Sequence, residues 1–406
     1  MTTPPPSSGH HRTGTATREQ APIPLHTPEF AADPHSFYTA MRRQFGALAP
    51  VELAPGIRAT LVIGYRAAVQ INNDPERFPA DPRRWEQNIP GDCPILPMLR
   101  YRPDTRRSAG QEHARYRRAS VDSIDAVDLH QVNATIDEIA TAQINTFCFD
   151  GDADLVGQYA FPVTVAYLNH VVGCPEEIAR RIAAGMTLMV EGDATAGRAL
   201  FVSALGELVS HKRRVPGDDV TSRLITHATD LSDAELIDQL VTYYDAGIEP
   251  LTNLIANTLL LMLTDERYSG PAASTTRDAL NETLFIDPPL ANCAITYPAQ
   301  PIVVGKVWLP ADQPVVTSTA ACNNDPAIVG RYTGDNPHLA WGTGPHACPA
   351  QDLAYSIAQH AIDQLFDLLP ELRLGCPVEQ LAWRPGPFHR ALVNLPVAFP
   401  PARTTF

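Results

Sequence analysis

The chain has 406 residues, 44% of them hydrophobic and 19% charged, which allows a sizeable core and excludes global disorder. Its 31 basic and 45 acidic residues give a net charge of −14, the wrong sign for a nucleic-acid surface, which needs a basic excess to displace counterions. No apolar run of ~18 residues is free of charge and proline, so no membrane span is expected.

Residues 1–22, beginning MTTPPPSSGHHRTGTATREQ, are rich in Pro, Ser, Thr and Gly; they read as a disordered tail without the apolar stretch of a secretion signal. A cytoplasmic protein is therefore expected, with residues 23–406 forming one domain. From Pro34 to Phe45 apolar residues recur at helical spacing (Phe37, Met41, Phe45). Val51 to Tyr65 alternates and breaks at Pro55-Gly56, the pattern of a hairpin. Residues 79–110 carry six prolines and few helix signals, so a long irregular wall or lid is expected there.

Helical patterning dominates from Glu112 to about Asn281. Ser232-Asp233-Ala234-Glu235 is a capping box, and the apolar pattern behind it reaches Thr264. At ~1.5 Å per residue such a helix is ~50 Å long and crosses the whole molecule. Val303–Trp308 and Val315-Val316 read as short strands around turns, and a further helix is expected from about Pro349 to Leu369, with Pro in its first turn. Leu381 to Phe399 is strand-like and interrupted by prolines. The sum is a mainly α protein, a large helical body with a small β-rich part drawn from both ends of the chain.

The seven cysteines are scattered and show no CxxC spacing, which argues against a disulfide framework or a structural zinc site. One of them stands out, in His338-Leu339-Ala340-Trp341-Gly342-Thr343-Gly344-Pro345-His346-Ala347-Cys348-Pro349-Ala350. Two glycines in a short loop permit close backbone approach to something flat or bulky. Cys348 stands just before a helix start, where free amides and the helix dipole favour a thiolate. A thiolate there can serve as a nucleophile or as a ligand for a soft metal or haem iron; the bland alternative is a buried cysteine in a glycine turn. A cysteine hydrolase would need a histidine base, and His346 is only two residues away and pinned by Gly344-Pro345. His113 and Arg117, four apart, share one helix face and suit either a grip on anionic groups or a solvated basic surface.

The stretch around Cys348 resembles the haem-binding loop of the cytochrome P450 family, Phe-Gly-x-Gly-x-His/Arg-x-Cys-x-Gly, with Trp341 for Phe and Ala350 for the last Gly. The resemblance runs from about Pro34 to Phe399. His113-x-x-x-Arg117 resembles the family's propionate-binding pair. Asp245-Ala246-Gly247-Ile248-Glu249-Pro250-Leu251-Thr252 resembles its oxygen-binding stretch, and Asn323-Asn324-Asp325-Pro326 the Asn-Arg-Asp-Pro before the haem loop. The resemblance implies the P450 fold, haem b as cofactor, Cys348 as axial thiolate, and His346, His113 and Arg117 at the propionates. It further implies Trp341 packed beside the sulfur, Ala246 and Gly247 in the oxygen groove, and Glu249 and Thr252 as the remaining proton carriers. Substrate walls are expected from residues 79–105 and the helices near 170–200. The implied activity is oxidation of a small organic, secondary-metabolite-like substrate by a monooxygenase, with electrons from a ferredoxin and a ferredoxin reductase.

Departures from the family pattern set further expectations. Glu-x-x-Arg becomes Glu282-Thr283-Leu284-Phe285, as in the unusual subgroup lacking that arginine, so Glu282 needs Arg331 or solvent. The stretch between Pro326 and Trp341 is also shortened. Thr296 replaces a propionate-binding arginine, which leaves haem held by fewer charges. Pro250 replaces the oxygen-activating Thr and donates nothing; Thr252, roughly 200° further around the helix, is a poor direct substitute. Asn324 and Tyr355 replace arginines, leaving Arg115 and Arg118 for contacts with a redox partner. These losses also fit an alternative, a haem-binding P450-fold protein that is weakly active, peroxide-driven or devoted to interaction.

Overall fold

The computed structural model describes residues 21–269, 274–328 and 337–402, so most of the expected tail lies outside it. The first elements are β1 (Ile23–Pro24), α1 (Pro28–Ala32), α2 (Pro34–Phe45), β2 (Leu48–Ala54) and β3 (Ile57–Val62). Asp33 starts α2 by accepting the Ser36 amide, with Pro34 at the first helical position. The hairpin turns at Gly56, whose φ of 78° is the conformation glycine tolerates. Then come α3 (Tyr65–Asn72) and, within the proline-rich segment, only two single turns, α4 (Arg83–Glu86) and α5 (Leu96–Leu99).

The helical body follows: α6 (Gly110–Asp125), α7 (Leu129–Ile144), β4 (Asp152–Asp154), α8 (Phe161–Val171), α9 (Glu176–Glu191), α10 (Ala194–Arg214), α11 (Val220–Thr226), α12 (Asp233–Thr264) and α13 (Thr276–Ile286). The β-rich part returns with β5 (Asn292–Thr296), β6 (Ile302–Val304), β7 (Val307–Leu309) and β8 (Val315–Ser318). After α14 (Thr319–Asn323) and α15 (Gln351–Leu368), the chain closes with β9 (Arg373–Leu374) and β10 (Pro396–Ala398). The late helix thus starts two residues after Pro349, which falls outside its first turn. Between Leu381 and Phe399, β10 and a single bridge from Trp383 to Leu392 are the only strand pairing among the described residues.

The main sheet has the order β1-β2-β3-β8-β5 and joins the two ends of the chain. β8 runs parallel to β3, with Leu61 opposite Val316, and antiparallel to β5. A second sheet has the order β4-β10-β9, and β6-β7 is an isolated hairpin.

The capping box of α12 is complete: Ser232 accepts the Glu235 amide, and the Glu235 carboxylate accepts the Ser232 amide. This helix joins two cores. Leu236, Leu240, Tyr244 and Ile248 pack with α6, α9, α10 and α11, while Leu251, Leu254, Ile255 and Leu259 pack with α7, α8, α13 and α15. Among the described residues α12 is the one helix long and apolar enough to cross a bilayer. Its apolar positions are instead taken up by those two cores.

Helices α9 and α10 form an antiparallel hairpin brought together at two glycines. A Cβ on Gly197 would lie 2.6 Å from the Gly185 carbonyl oxygen and 2.6 Å from the Met189 nitrogen, and one on Gly185 would lie 2.9 Å from the Phe201 nitrogen. Backbone cannot yield as a side chain can. Gly197→Ala is expected to lower stability by about 1–3 kcal/mol, read as a fall in the urea midpoint at unchanged m-value; an unchanged midpoint would show that the helices separate freely.

Candidate functional site

The loop from Leu339 to Ala350 is folded by its own backbone. Gly342 N–H donates to the Leu339 carbonyl at 2.8 Å and Cys348 N–H to the Trp341 carbonyl at 2.7 Å, closing the loop. Gly342 and Gly344 both have φ of 76°. A side chain at Gly344 would collide with the Asn72 carbonyl, 2.2 Å from its Cβ position, so glycine lets the loop lie on the end of α3. Asn323 anchors the loop from below, accepting the Leu339 amide at 2.7 Å and donating to the Leu284 carbonyl at 3.1 Å. Asp325 accepts the Tyr65 amide at 3.0 Å. Asn324 spends its amide on the Ile286 and Ala320 carbonyls.

Cys348 reaches a cavity of about 320 Å³ between this loop and α12. Trp341, Cys348 and Leu353 line one side; Tyr243, Ala246, Gly247, Pro250, Leu251 and Leu254 of α12 line the other. Burial pushes the Cys348 thiol pKa up, while the Ala350 amide and the Arg117 charge pull it down. The N-cap of α15 has no side-chain hydrogen bond, so its first amides are left facing the cysteine side.

One end of the cavity is cationic. Arg117 and His346 line it, and the His113 ring lies 4.0 Å from that of His346. His346 Nδ1 donates to the Thr105 carbonyl at 3.1 Å, which fixes the tautomer and leaves Nε2 as the acceptor in the neutral ring. Burial, then the His346 and Arg117 charges, push His113 down to about 4. Burial also lowers His346. His113 Nε2 and Thr296 Oγ1 are buried without a hydrogen-bond partner. Neighbouring arginines are matched, Arg102 to Asp245 at 2.8 Å and Arg107 to Asp104 at 2.7 Å. Arg106 also lines the cavity and, like Arg117, has no ion pair among the described residues. An apolar slot with a soft ligand on one face and unneutralised cations and orphaned polar atoms at one end fits haem b, an apolar ring bearing two carboxylates.

The structure thus gathers Cys348, His346, Trp341, Arg117, Ala246 and Gly247 around one cavity, with His113 stacked behind. It does not bring Glu249 or Thr252 there. The cavity-lining positions of α12 (242, 243, 246, 247, 250, 251, 254) include neither 249 nor 252, and position 252 falls on the opposite side of the helix. Glu249 pairs instead with Arg384 at 2.5 Å and lies 3.8 Å from His389. Thr252 is buried with its hydroxyl unpartnered.

Other expectations shift as well. Glu282 is half-buried and reachable by solvent; its carboxylate takes Arg267 at 2.6 Å and the Tyr268 hydroxyl at 2.9 Å. Arg331, the partner expected from sequence, and most of the shortened stretch lie outside the described residues. Arg115 is tied to Glu235 and to the Thr229 carbonyl. The Tyr355 hydroxyl donates to the Arg277 carbonyl at 3.0 Å. Of the expected substrate walls, Ala80 and Thr105 contribute, and around 170 only Leu168, Val171 and Val172; α9 and α10 pack above the cavity without lining it.

Solved structures define the fold. CYP154C4 from a Streptomyces species superimposes with a TM-score of 0.83 at 25% identity, covering 94% of this chain and 99% of that one. The monooxygenase TamI gives 0.79 at 25% identity, covering 93% and 94%. No family model matches the chain. Among curated proteins it is 30% identical over 309 residues to nocardicin C N-oxygenase of Nocardia uniformis, covering 71% of this chain and 77% of the relative. It is 27% identical over 397 residues to cytochrome P450 107B1 of Saccharopolyspora erythraea, covering 91% and 95%. The class defined by fold and relatives is a haem b-dependent monooxygenase, an oxidoreductase of bacterial type. The chain belongs to the cytochrome P450 family.

Arg267 and Glu282 sit at the surface, so their pairing contributes little. Arg267→Ala is expected to leave the unfolding midpoint and the haem content of purified protein essentially unchanged; loss of haem in this variant would show that the pair carries the usual core role after all.

Proposed function

We propose that the protein oxidises a small, largely apolar secondary metabolite, with Cys348 supplying the axial thiolate and His346, His113 and Arg117 holding the propionates. The observation that carries this is the closed 341–348 loop, which presents one sulfur to an apolar slot whose far end collects cations without counter-ions. Haem, once bound, supplies the redox chemistry that activates dioxygen, favoured by a thiolate ligand.

The chain's own groups do the rest. The Ala350 amide and the open end of α15 stabilise negative charge on sulfur, and Trp341 covers the site from the loop side. Ala246 and Gly247 keep the α12 wall thin where the groove is needed. Pro250 lines that wall without an N–H, so the Ala246 carbonyl loses its helical donor. Next to Pro250 the lining residues Ala246, Gly247, Leu251 and Leu254 carry no side-chain hydroxyl; the α12 hydroxyls in the lining belong to Thr242 and Tyr243, about two turns away. Neither Glu249 nor Thr252 lines the cavity, which favours proton delivery through water or a substrate hydroxyl.

A small secondary-metabolite substrate is supported by relatives such as 2-hydroxy-5-methyl-1-naphthoate 7-hydroxylase of Streptomyces carzinostaticus, 28% identical over 377 residues and covering 86% of this chain and 91% of that one. Electrons come from a ferredoxin and its reductase, with Arg118, still exposed on α6, as a contact. Residues 23–406 act as one domain, which the span of α12 across both helical cores supports, and the protein works in the cytoplasm. Phe285 in the place of the Glu-x-x-Arg arginine supports grouping it with the P450 enzymes that lack that arginine.

The test is optical. Reduced protein under carbon monoxide shows a thiolate-type Soret shift that Cys348→Ser abolishes; an unaltered spectrum in the variant would remove Cys348 from the site. Pro250→Thr, which restores a hydroxyl on the cavity face, is expected to raise product formed per NAD(P)H several-fold when ferredoxin drives turnover and to leave peroxide-driven turnover unchanged.

A further inference from the structure

We infer that Arg106 holds a haem propionate and takes over the duty of the arginine whose place Thr296 occupies. This rests on the assignment of the cavity to haem. Arg106 follows Thr105, whose carbonyl positions His346, so it belongs to the same cationic end of the cavity. The acid closest in sequence cannot serve it. Asp104, fully buried, accepts the Arg106 and Arg107 amides at 2.8 Å, the Arg107 guanidinium at 2.7 Å and the Thr242 hydroxyl at 3.0 Å. Those four donors leave the Arg106 side chain outside the cluster.

That side chain reaches β5 instead. Its Nη2 lies 3.7 Å from Cys293 Sγ, a weak acceptor, on the strand that carries Thr296. Both β5 residues line the cavity with Arg106, and the buried Thr296 hydroxyl has no partner. The charge is felt nearby: Arg106 contributes to the depressed pKa of His389. A half-buried guanidinium fork whose only bond among the described residues is to a thiol is set up for a carboxylate, the group its planar donors match. The positive charge missing from β5 is thus supplied beside that strand, by the segment before α6.

The carboxylate could also be a substrate's, and the experiment separates the two sources. Haem-loaded Arg106→Gln and Arg106→Lys proteins are mixed with excess apomyoglobin, and haem transfer is followed. The Gln variant is expected to release haem about tenfold faster than the parent, with the Lys variant between them. The reduced carbon monoxide spectrum of the unreleased fraction should be unchanged, since Cys348 is untouched. Adding Thr296→Arg to Arg106→Gln should restore slow release. Release at the parent rate in the Gln variant overturns the inference, and does so in favour of a substrate carboxylate if carboxylate-bearing compounds then lose their spectral shift. A parent protein without the thiolate-type signal would instead sink the haem assignment itself, and the inference with it.

Discussion

The hydrogen bond from the Cys348 amide to the Trp341 carbonyl is the constraint on which the site depends, because it turns a flexible glycine loop into a mount for one sulfur atom. Its neighbours serve that closure. Asn323 receives the incoming strand of the loop, Gly344 lets the loop rest on the end of α3, and Ala350 turns its amide toward the thiol. None of these contacts involves a charged side chain. The loop is positioned by backbone geometry and tuned by charge afterwards, so arginines can be exchanged around it while the sulfur stays in place.

The departures from the family pattern are best understood as relocated partners. Glu282 lost an arginine three residues ahead and found Arg267, fifteen residues behind, at the surface. Such a pair satisfies the carboxylate without the desolvation cost of a core ion pair. Asp325 is satisfied by the Tyr65 amide, with Arg42 at 4.0 Å. Tyr355 gives its hydroxyl to a backbone carbonyl and lies under Arg277. In each of these three cases a polar group is satisfied by whatever the fold places nearby.

Much of the architecture was legible in the chain. The capping box at Ser232 announced α12, Pro55-Gly56 announced the hairpin, and the glycine–cysteine spacing announced the loop, because each is a local pattern with a local physical cause. The place of Glu249 off the cavity is not legible, because its sequence position beside the groove says nothing of Arg384 and His389, which arrive from the chain's other end to pair with it. Adjacent residues on a helix point ~100° apart, so the neighbour of a cavity residue need not be one. Arg106 is inconspicuous in the sequence for the opposite reason. It stands among several arginines in a segment that looks irregular, and only the pairing of Arg102 and Arg107 elsewhere shows which one is left over. Such differences are settled by non-local contacts that no periodicity encodes.

The glycine contact between α9 and α10 has a mechanical side. With backbone set against backbone, neither helix slides without riding over the other, so the hairpin bears force as a single plate. The chain enters this plate beside Gly173 and leaves it near Asp219, which Lys212 bridges at 2.7 Å, so the plate has one root. Along its length it leans on α12, with Phe201 edge-on to Tyr244 at 5.6 Å. That contact lies one turn along α12 from the Gly247 wall, so the hairpin and the cavity are braced on the same helix.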